Sequence, residues 1–409
     1  MNETQVIQLR EFQQKNSYLS KDTSRGLQQE FNRVLQVTPT MDEDCYILTG
    51  KSVVGVFEYN GTIIQIKPKV DIPVIWDWLS VAYDLKSIEF NDSNIGFEET
   101  FGTLEWIVKS FIQECQKIYS RGIKKGYITQ EEAIKSIRGQ WQPRETFDRW
   151  LKHDYQFDCR FDELTENVKE NQLIASTLKN MMWKKYNDSS VTKDCKELFG
   201  LFGKELNFQE MNYKKTPNKW IQELDRLPRT RLNAYYHDAF QWARMYWKAK
   251  SLSFELGSMR SNSFLLDMNE LFELYIGKLL IQKLKDYGIK VALQKYDNLA
   301  ENGKIRIIPD IIVKSLSGKE IVIDTKYIVR RDEASINSNI FQMLAYLTAR
   351  QTNQGILLYA GGPERTDQIK NSDFAIYQWS LNLEQGLSKE GIQLRIEEFI
   401  ERLIILMKD

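Results

Sequence analysis

Charge of one sign, paired cysteines and long apolar runs are all missing from this sequence. Its 56 Lys and Arg are balanced by 56 Asp and Glu, so the chain is formally neutral. A wholesale polyanion binder carries a basic excess, so any contact with nucleic acid has to come from a local patch or from a partner. The four cysteines (Cys45, Cys115, Cys159 and Cys195) stand far apart, with no CxxC pair and no neighbouring histidine. That spacing excludes a disulfide or zinc framework and points to a reducing cytoplasm. Its only two histidines, His153 and His237, are isolated and show no metal-ligand spacing. No apolar run approaches the length of a membrane span, and LIILM near the C-terminus fits one face of an amphipathic helix. The opening residues MNETQVIQLREFQQKN hold no apolar core of the signal-peptide kind. Internal repeats and low-complexity segments are absent as well.

What is present is a soluble, aromatic-rich chain of 409 residues, 42% apolar, with 10 Trp, 19 Tyr and 20 Phe. That length exceeds one ordinary core, and two or three domains are expected. Residues 1–100 read as a β-rich domain, because short β-branched and aromatic runs are broken at Gly50 and at Asn60–Gly61. Asn-Gly between two alternating runs is the strongest short hairpin signal. The segment DIPVIWDWLSVAYDL then reads as a helix. GKS at Gly50–Ser52 is no phosphate-binding loop, because the first glycine of that motif would fall on Cys45. Residues 101–255 turn helical: Leu104, Ile107, Val108, Phe111, Cys115 and Ile118 share one face, and Gly122 suits the helix end. A strand-like patch at 127–141 interrupts this region, and helical patterns return near 166–186 and 229–254. Residues 256–409 alternate: a helix at 268–286, the strands VALQKY, KIRIIPDIIV and EIVIDTKY, a helix at 339–350, the strands GILLYA and FAIYQWSL, and a helix at 389–408. The fold class is therefore α/β in the sense of a multidomain α+β chain, with a mixed sheet in its C-terminal domain.

The chemistry concentrates in IRIIPDIIVKSLSGKEIVIDTKY. Asp324 and Lys326 are two apart on a strand and project from the same face. The SLSGKE turn folds that strand back on the one before it, which brings Asp310 alongside. Converging carboxylates make a hard, oxygen-rich site of the kind Mg²⁺ prefers, and the carbonyl of Thr325 is a further candidate ligand. A lysine beside such a site can hold an attacking water or steady a charged phosphate. An isolated D-x-K is usually a solvated strand face or an ion pair. Here the preceding apolar IVI run, Pro309–Asp310 at hairpin distance, and Gln342 and Tyr346 at i and i+4 on the next helix together favour a nuclease site. Lys326, Arg330 and Arg331 form the nearest basic cluster, a candidate for phosphate contact.

P-D, then D-x-K, then Q-x-x-x-Y resembles the PD-(D/E)XK nuclease superfamily in its RecB-like branch. The stretches VGVFEYNGTIIQIKPKV, IRGQW, FDCRFDELTENVKENQ, FLLDMNELFELYI, IIPDIIV, IVIDTKY and FQMLAYL are similar to the McrC family, the endonuclease subunit of McrBC-type restriction systems. The resemblance implies a Mg²⁺-dependent DNA endonuclease with Asp310, Asp324 and Lys326 as its catalytic triad. Glu273 matches the acidic residue that completes metal binding; Glu270 is set aside because it stands at capping-box spacing from Asp267. Gln342 and Tyr346 fall on the helix that lines the site. Threonine in DTK, where a small residue is commoner, should be tolerated because its side chain points away. The resemblance also implies DNA as substrate and a McrB-like hexameric AAA+ NTPase that binds the GTP or ATP, with the N-terminal β-rich domain as the docking part. Pairing of nuclease domains in the assembled complex is implied too.

Overall fold

A computed structural model describes residues 5–85, 105–184, 186, 188–204, 206, 215–255, 264–329, 333–383 and 387–408. The chain forms two compact units, Met1–Thr103 together with Leu256–Asp409, and Leu104–Glu255. The regions read as separate N- and C-terminal domains thus share one unit. The physical reason is a strand that local sequence could not assign: Phe264–Asp267 pairs antiparallel with Val53–Tyr59 and completes the N-terminal sheet.

That sheet has four strands in the order Gln5–Arg10, Thr62–Lys67, Val53–Tyr59, Phe264–Asp267. Its hairpin turns at Asn60 and Gly61, whose φ values of 48° and 77° give the mirror-image turn that matches strand twist. A three-stranded sheet (Gln14–Tyr18, Cys45–Gly50, Leu35–Pro39) adjoins it in sequence. The helix Ile72–Ala82 carries Pro73 in its first turn, where a missing N–H costs nothing. It buries Val74, Ile75, Trp78 and Leu79, and Trp78 stacks on Tyr275 of the helix Met268–Leu284 at 5.4 Å between rings. That second helix is capped by Asp267, whose carboxylate accepts from the N–H groups of Asn269 and Glu270, and it gives way to a short 3₁₀ turn ending at Gly288 (φ 70°).

The C-terminal region carries a mixed six-stranded sheet in the order Lys290–Leu293, Ile311–Lys314, Glu320–Val329, Gln354–Gly361, Ala375–Ser380, Arg365–Gln368. Gln354–Gly361 pairs parallel with both Glu320–Val329 and Ala375–Ser380, and the two central strands, Glu320–Val329 and Gln354–Gly361, are close to continuously buried. Two-faced burial explains why they read as apolar runs without alternation. One expected strand is divided. Pro309 has no N–H for a ladder, so 304–313 splits into Arg306–Ile307, which pairs with Asp297–Asn298, and Ile311–Lys314. The helix expected at 339–350 runs over Glu333–Arg350. Arg350 anchors its end: the guanidinium makes two bonds to Glu320, at 2.8 and 2.9 Å, and one to Asp297 at 2.7 Å. Met343, Tyr346 and Leu347 of this helix pack on Val322, Leu357 and Tyr359 of the sheet.

In the second unit, the expected helix is Glu105–Arg121; it buries Ile107, Val108, Phe111, Cys115 and Ile118, while Leu104 lies outside the described residues. The strand-like patch becomes Gly126–Ile134 and Gln140–Trp141. Both pair with Phe157–Thr165, in which Phe157, Cys159 and Phe161 alternate with polar residues. Cys45, Cys115, Cys159 and Cys195 are free and buried.

The close approach of helix to sheet at Gly355 is the most sensitive spacing. A Cβ there would sit 2.8 Å from Met343 Cγ and against its sulfur, inside a fully packed core. Gly355→Val should therefore destabilise the protein by about 1–3 kcal/mol, the usual cost of overpacking. An unchanged denaturant midpoint would show that the helix is free to shift.

Candidate active site

The strands Ile311–Lys314 and Glu320–Val329 form the hairpin expected from SLSGKE. Ser315 donates its N–H to the Lys319 carbonyl, and Gly318 takes the positive φ of 92° that the turn requires. The register pairs Ile311 with Ile323, so Asp310, one residue before the strand, comes level with Asp324. Asp310 sits in the bend left by Pro309, not inside a strand. Its Oδ2 accepts the Thr325 N–H at 2.8 Å and the Thr325 hydroxyl at 3.1 Å. Here one expectation is corrected: the Thr325 side chain does not point away but secures the neighbouring carboxylate. Threonine is tolerated in DTK because it contributes a donor.

Asp324 is 1% exposed and lies on a strand covered on both faces. Its Oδ2 faces Lys326 Nζ at 2.7 Å, and its Oδ1 has no hydrogen-bond partner among the described residues. Lys326 Nζ also donates to Gln342 Oε1 at 3.1 Å. Gln342 Nε2 in turn donates to the Tyr346 hydroxyl at 2.7 Å, which donates to the Ile308 carbonyl at 3.1 Å. The amide of Gln342 is thus oriented from one side by the lysine and from the other by a tyrosine anchored to backbone. Glu273, on the helix Met268–Leu284, accepts from Gln294 Nε2 at 2.8 Å. Gln294 donates its own N–H to the Asp310 carbonyl and holds φ at 45°. No motif announces Gln294, yet it ties the Glu273 helix to the Asp310 bend. Arg330 and Arg331 lie outside the described residues.

Burial raises the Asp324 carboxyl to about 7, with the Asp310 carboxylate adding to the shift and Lys326 opposing it. Burial and then Asp310 raise Glu273 to about 7 as well. Asp310 is raised by burial and held back by the Thr325 N–H. Burial works against the Lys326 charge, but the Asp324 and Asp310 carboxylates hold the ammonium above its ordinary range. Tyr346 is pushed up to about 12 by burial and the same carboxylates, so it stays a neutral donor. Three acids therefore share one ammonium, and the site is short of positive charge. The oxygen-only donor set and the unpartnered Asp324 Oδ1 fit a hard divalent cation. As they stand, no three acidic, histidine or cysteine side chains among the described residues are drawn close enough to enclose one.

With this geometry in view, comparison with known proteins is decisive at the family level. Residues 48–360 match the family described as McrBC 5-methylcytosine restriction system component. The chain belongs to that family. It is a restriction-system component, and the match spans the hairpin of Asp310, Asp324 and Lys326 as well as Gln342 and Tyr346. A chain in the refined half-complex of Thermococcus gammatolerans McrB AAA+ hexamers with bound McrC aligns over 96% of this chain and 100% of its own, at 16% identity and a TM-score of 0.57. That likeness shows a shared mixed α/β fold. A chain of the Thermococcus gammatolerans McrBC complex, at 18% identity, covers 68% of this chain and 88% of its own, with a TM-score of 0.46. No curated protein sequence matches the chain. No described helix is long and apolar enough to cross a membrane.

The raised carboxyls carry a pH signature. Between their ordinary values near 4 and about 7, Asp324 and Glu273 bind more protons folded than unfolded. Their contribution to stability is therefore complete at low pH and is lost as pH rises toward about 7. A cation that replaces those protons reverses the penalty. Millimolar Mg²⁺ should raise the melting temperature more at about pH 8 than at about pH 6, and Asp324→Asn should abolish the difference. Equal shifts at both pH values would count against cation binding at these carboxylates.

Proposed function

We propose that this McrBC-family chain is the DNA-cutting subunit of its restriction complex, a Mg²⁺-dependent endonuclease centred on Asp310, Asp324 and Lys326. The observation that carries this reading is the convergence of one buried carboxylate, one half-buried carboxylate and one ammonium at a hairpin, with an oxygen of the buried carboxylate left unbonded. Asp310, Asp324 and Glu273 would hold the cation, with the Thr325 carbonyl as a further ligand. Bound there, it supplies Lewis-acid stabilisation for phosphodiester hydrolysis.

The protein's own groups do the rest. Lys326 is charged and confined between Asp324 and Gln342, from where its remaining donor capacity can meet a phosphate oxygen or hold an attacking water. Gln342 and Tyr346 keep the ammonium from swinging out to solvent. Thr325 fixes the Asp310 carboxylate, and Gln294 fixes Glu273. The neutral overall charge suits a subunit that is loaded onto DNA by others. The Thermococcus gammatolerans neighbour comes from an assembly of McrB AAA+ hexamers with bound McrC, and a AAA+ NTPase hexamer is accordingly the partner proposed here. GTP or ATP would bind to that partner, in the cytoplasm, and paired nuclease domains would each cut one strand. A second reading, an activator that does not cut, is favoured by one observation: the acids do not enclose a cation as they stand.

Cleavage assays on the assembled complex separate the two. Asp324→Ala should lower cutting at least about 100-fold while leaving stimulation of the partner's nucleotide hydrolysis intact. Undiminished cutting by this variant would end the assignment, and a wild-type complex that hydrolyses nucleotide without cutting would establish the activator reading. Gln342→Ala should slow cleavage by roughly 10- to 100-fold with a near-normal melting temperature, as expected of a group that orients another. A parallel fall in stability would mean that Gln342 serves only packing.

A further inference from the structure

Directly behind the site lies a second cluster of buried ionisable groups that the chemistry above does not use. Tyr327 follows Lys326 in the strand and is fully buried on the opposite side, between Trp78 and Phe272. Its hydroxyl donates to Glu11 Oε2 at 3.3 Å. Glu11 closes the first strand of the N-terminal sheet, and the same oxygen accepts the Lys69 N–H at 2.8 Å. Lys69 Nζ stands 3.8 Å above the centre of the Tyr327 ring and 5.3 Å from that of Phe12. Neither Lys69 Nζ nor Glu11 Oε1 has a hydrogen-bond partner among the described residues. Burial raises the Glu11 carboxyl to about 7 and lowers the Lys69 ammonium to about 8. Buried polar groups left so poorly satisfied are costly and need a reason.

The strand itself offers one. The register between Glu320–Val329 and Gln354–Gly361 is regular up to Lys326 opposite Tyr359, then slips, and Val329 meets Gly361. Two residues, Tyr327 and Ile328, therefore oppose one, Ala360. Such a bulge re-aims the side chains beside it. Lys326 is the last residue before the slip, so the direction of its ammonium depends on what holds the bulge.

We propose that Glu11 and Lys69 are positioning residues, which clamp Tyr327 and so hold the bulge that aims Lys326 at Asp324 and Gln342. Both clamp residues lie just beyond strand ends of the N-terminal sheet, after Gln5–Arg10 and after Thr62–Lys67, so that end of the sheet sets the geometry of the strand that carries Lys326. This rests on the nuclease reading only for its effect on rate; the effect on Lys326 stands without it.

Tyr327→Phe removes the hydroxyl and keeps the ring, and Glu11→Gln keeps the shape and removes the charge. In the assembled complex both should lower kcat for cleavage roughly 10- to 100-fold with KM for DNA unchanged. A direct readout uses the full chain alone: acylation of lysines by an amine-reactive ester, followed by peptide mass spectrometry. Both variants should acylate Lys326 several-fold faster than wild type, because an amine no longer held against Asp324 and Gln342 is open to the reagent. Exposed Lys295 should react at an unchanged rate, which separates local release from general unfolding. Unchanged Lys326 acylation, or faster Lys295 acylation in step with it, overturns the proposal. If wild type does not cut and Lys326 is nonetheless released in the variants, the clamp stands and the nuclease reading falls. If wild type cuts and the variants cut with full kcat, the clamp falls and the nuclease reading stands.

Discussion

A carboxylate buried at the centre of a sheet is the constraint around which this molecule is arranged. Removing Asp324 from water costs several kcal/mol unless a countercharge is supplied close by. The countercharge is Lys326, two residues on, and period-two geometry puts it on the same face. One ammonium cannot serve three acids, so Asp324 and Glu273 stay raised toward neutrality. The same shortage of positive charge makes the site receptive to a divalent cation. Stability and the proposed chemistry are opposed here: the groups that cost the fold most are the ones the proposed function calls on.

The scaffold answers that cost with rigidity. Arg350 pins the helix end to the start of the strand through a bidentate bond to Glu320, which fixes where Gln342 stands. The core of Met343, Tyr346 and Leu347 against Val322 and Leu357 admits no extra atom at Gly355. On the other face, Trp78, Phe272 and Tyr275 join the helices Ile72–Ala82 and Met268–Leu284 behind the strand that carries Asp324 and Lys326. Membership of the McrBC family and the local chemistry thus bear on the same elements, since the matched residues 48–360 run from the N-terminal hairpin to the sheet of the site.

By itself, the sequence determined what rests on short-range geometry. Alternation within IVIDTKY places Asp324 with Lys326, SLSGKE makes a hairpin that brings Asp310 level, and i, i+4 spacing joins Gln342 to Tyr346. Each is a rule of local backbone geometry, and each needs only neighbours in the chain. Tertiary structure alone decided the rest. Phe264–Asp267 is legible as a strand only beside Val53–Tyr59, because four residues are too few to show a period; Phe157–Thr165, by contrast, carries a local signal in the alternation of Phe157, Cys159 and Phe161. Gln294 carries no motif; its role arises from meeting Glu273 on another element. The Thr325 hydroxyl turns inward because Pro309 breaks the preceding strand and leaves Asp310 in a bend within its reach. Glu11 and Tyr327 are more than 300 residues apart, and no local pattern could pair them: a long-range contact exists only once the chain has closed around it.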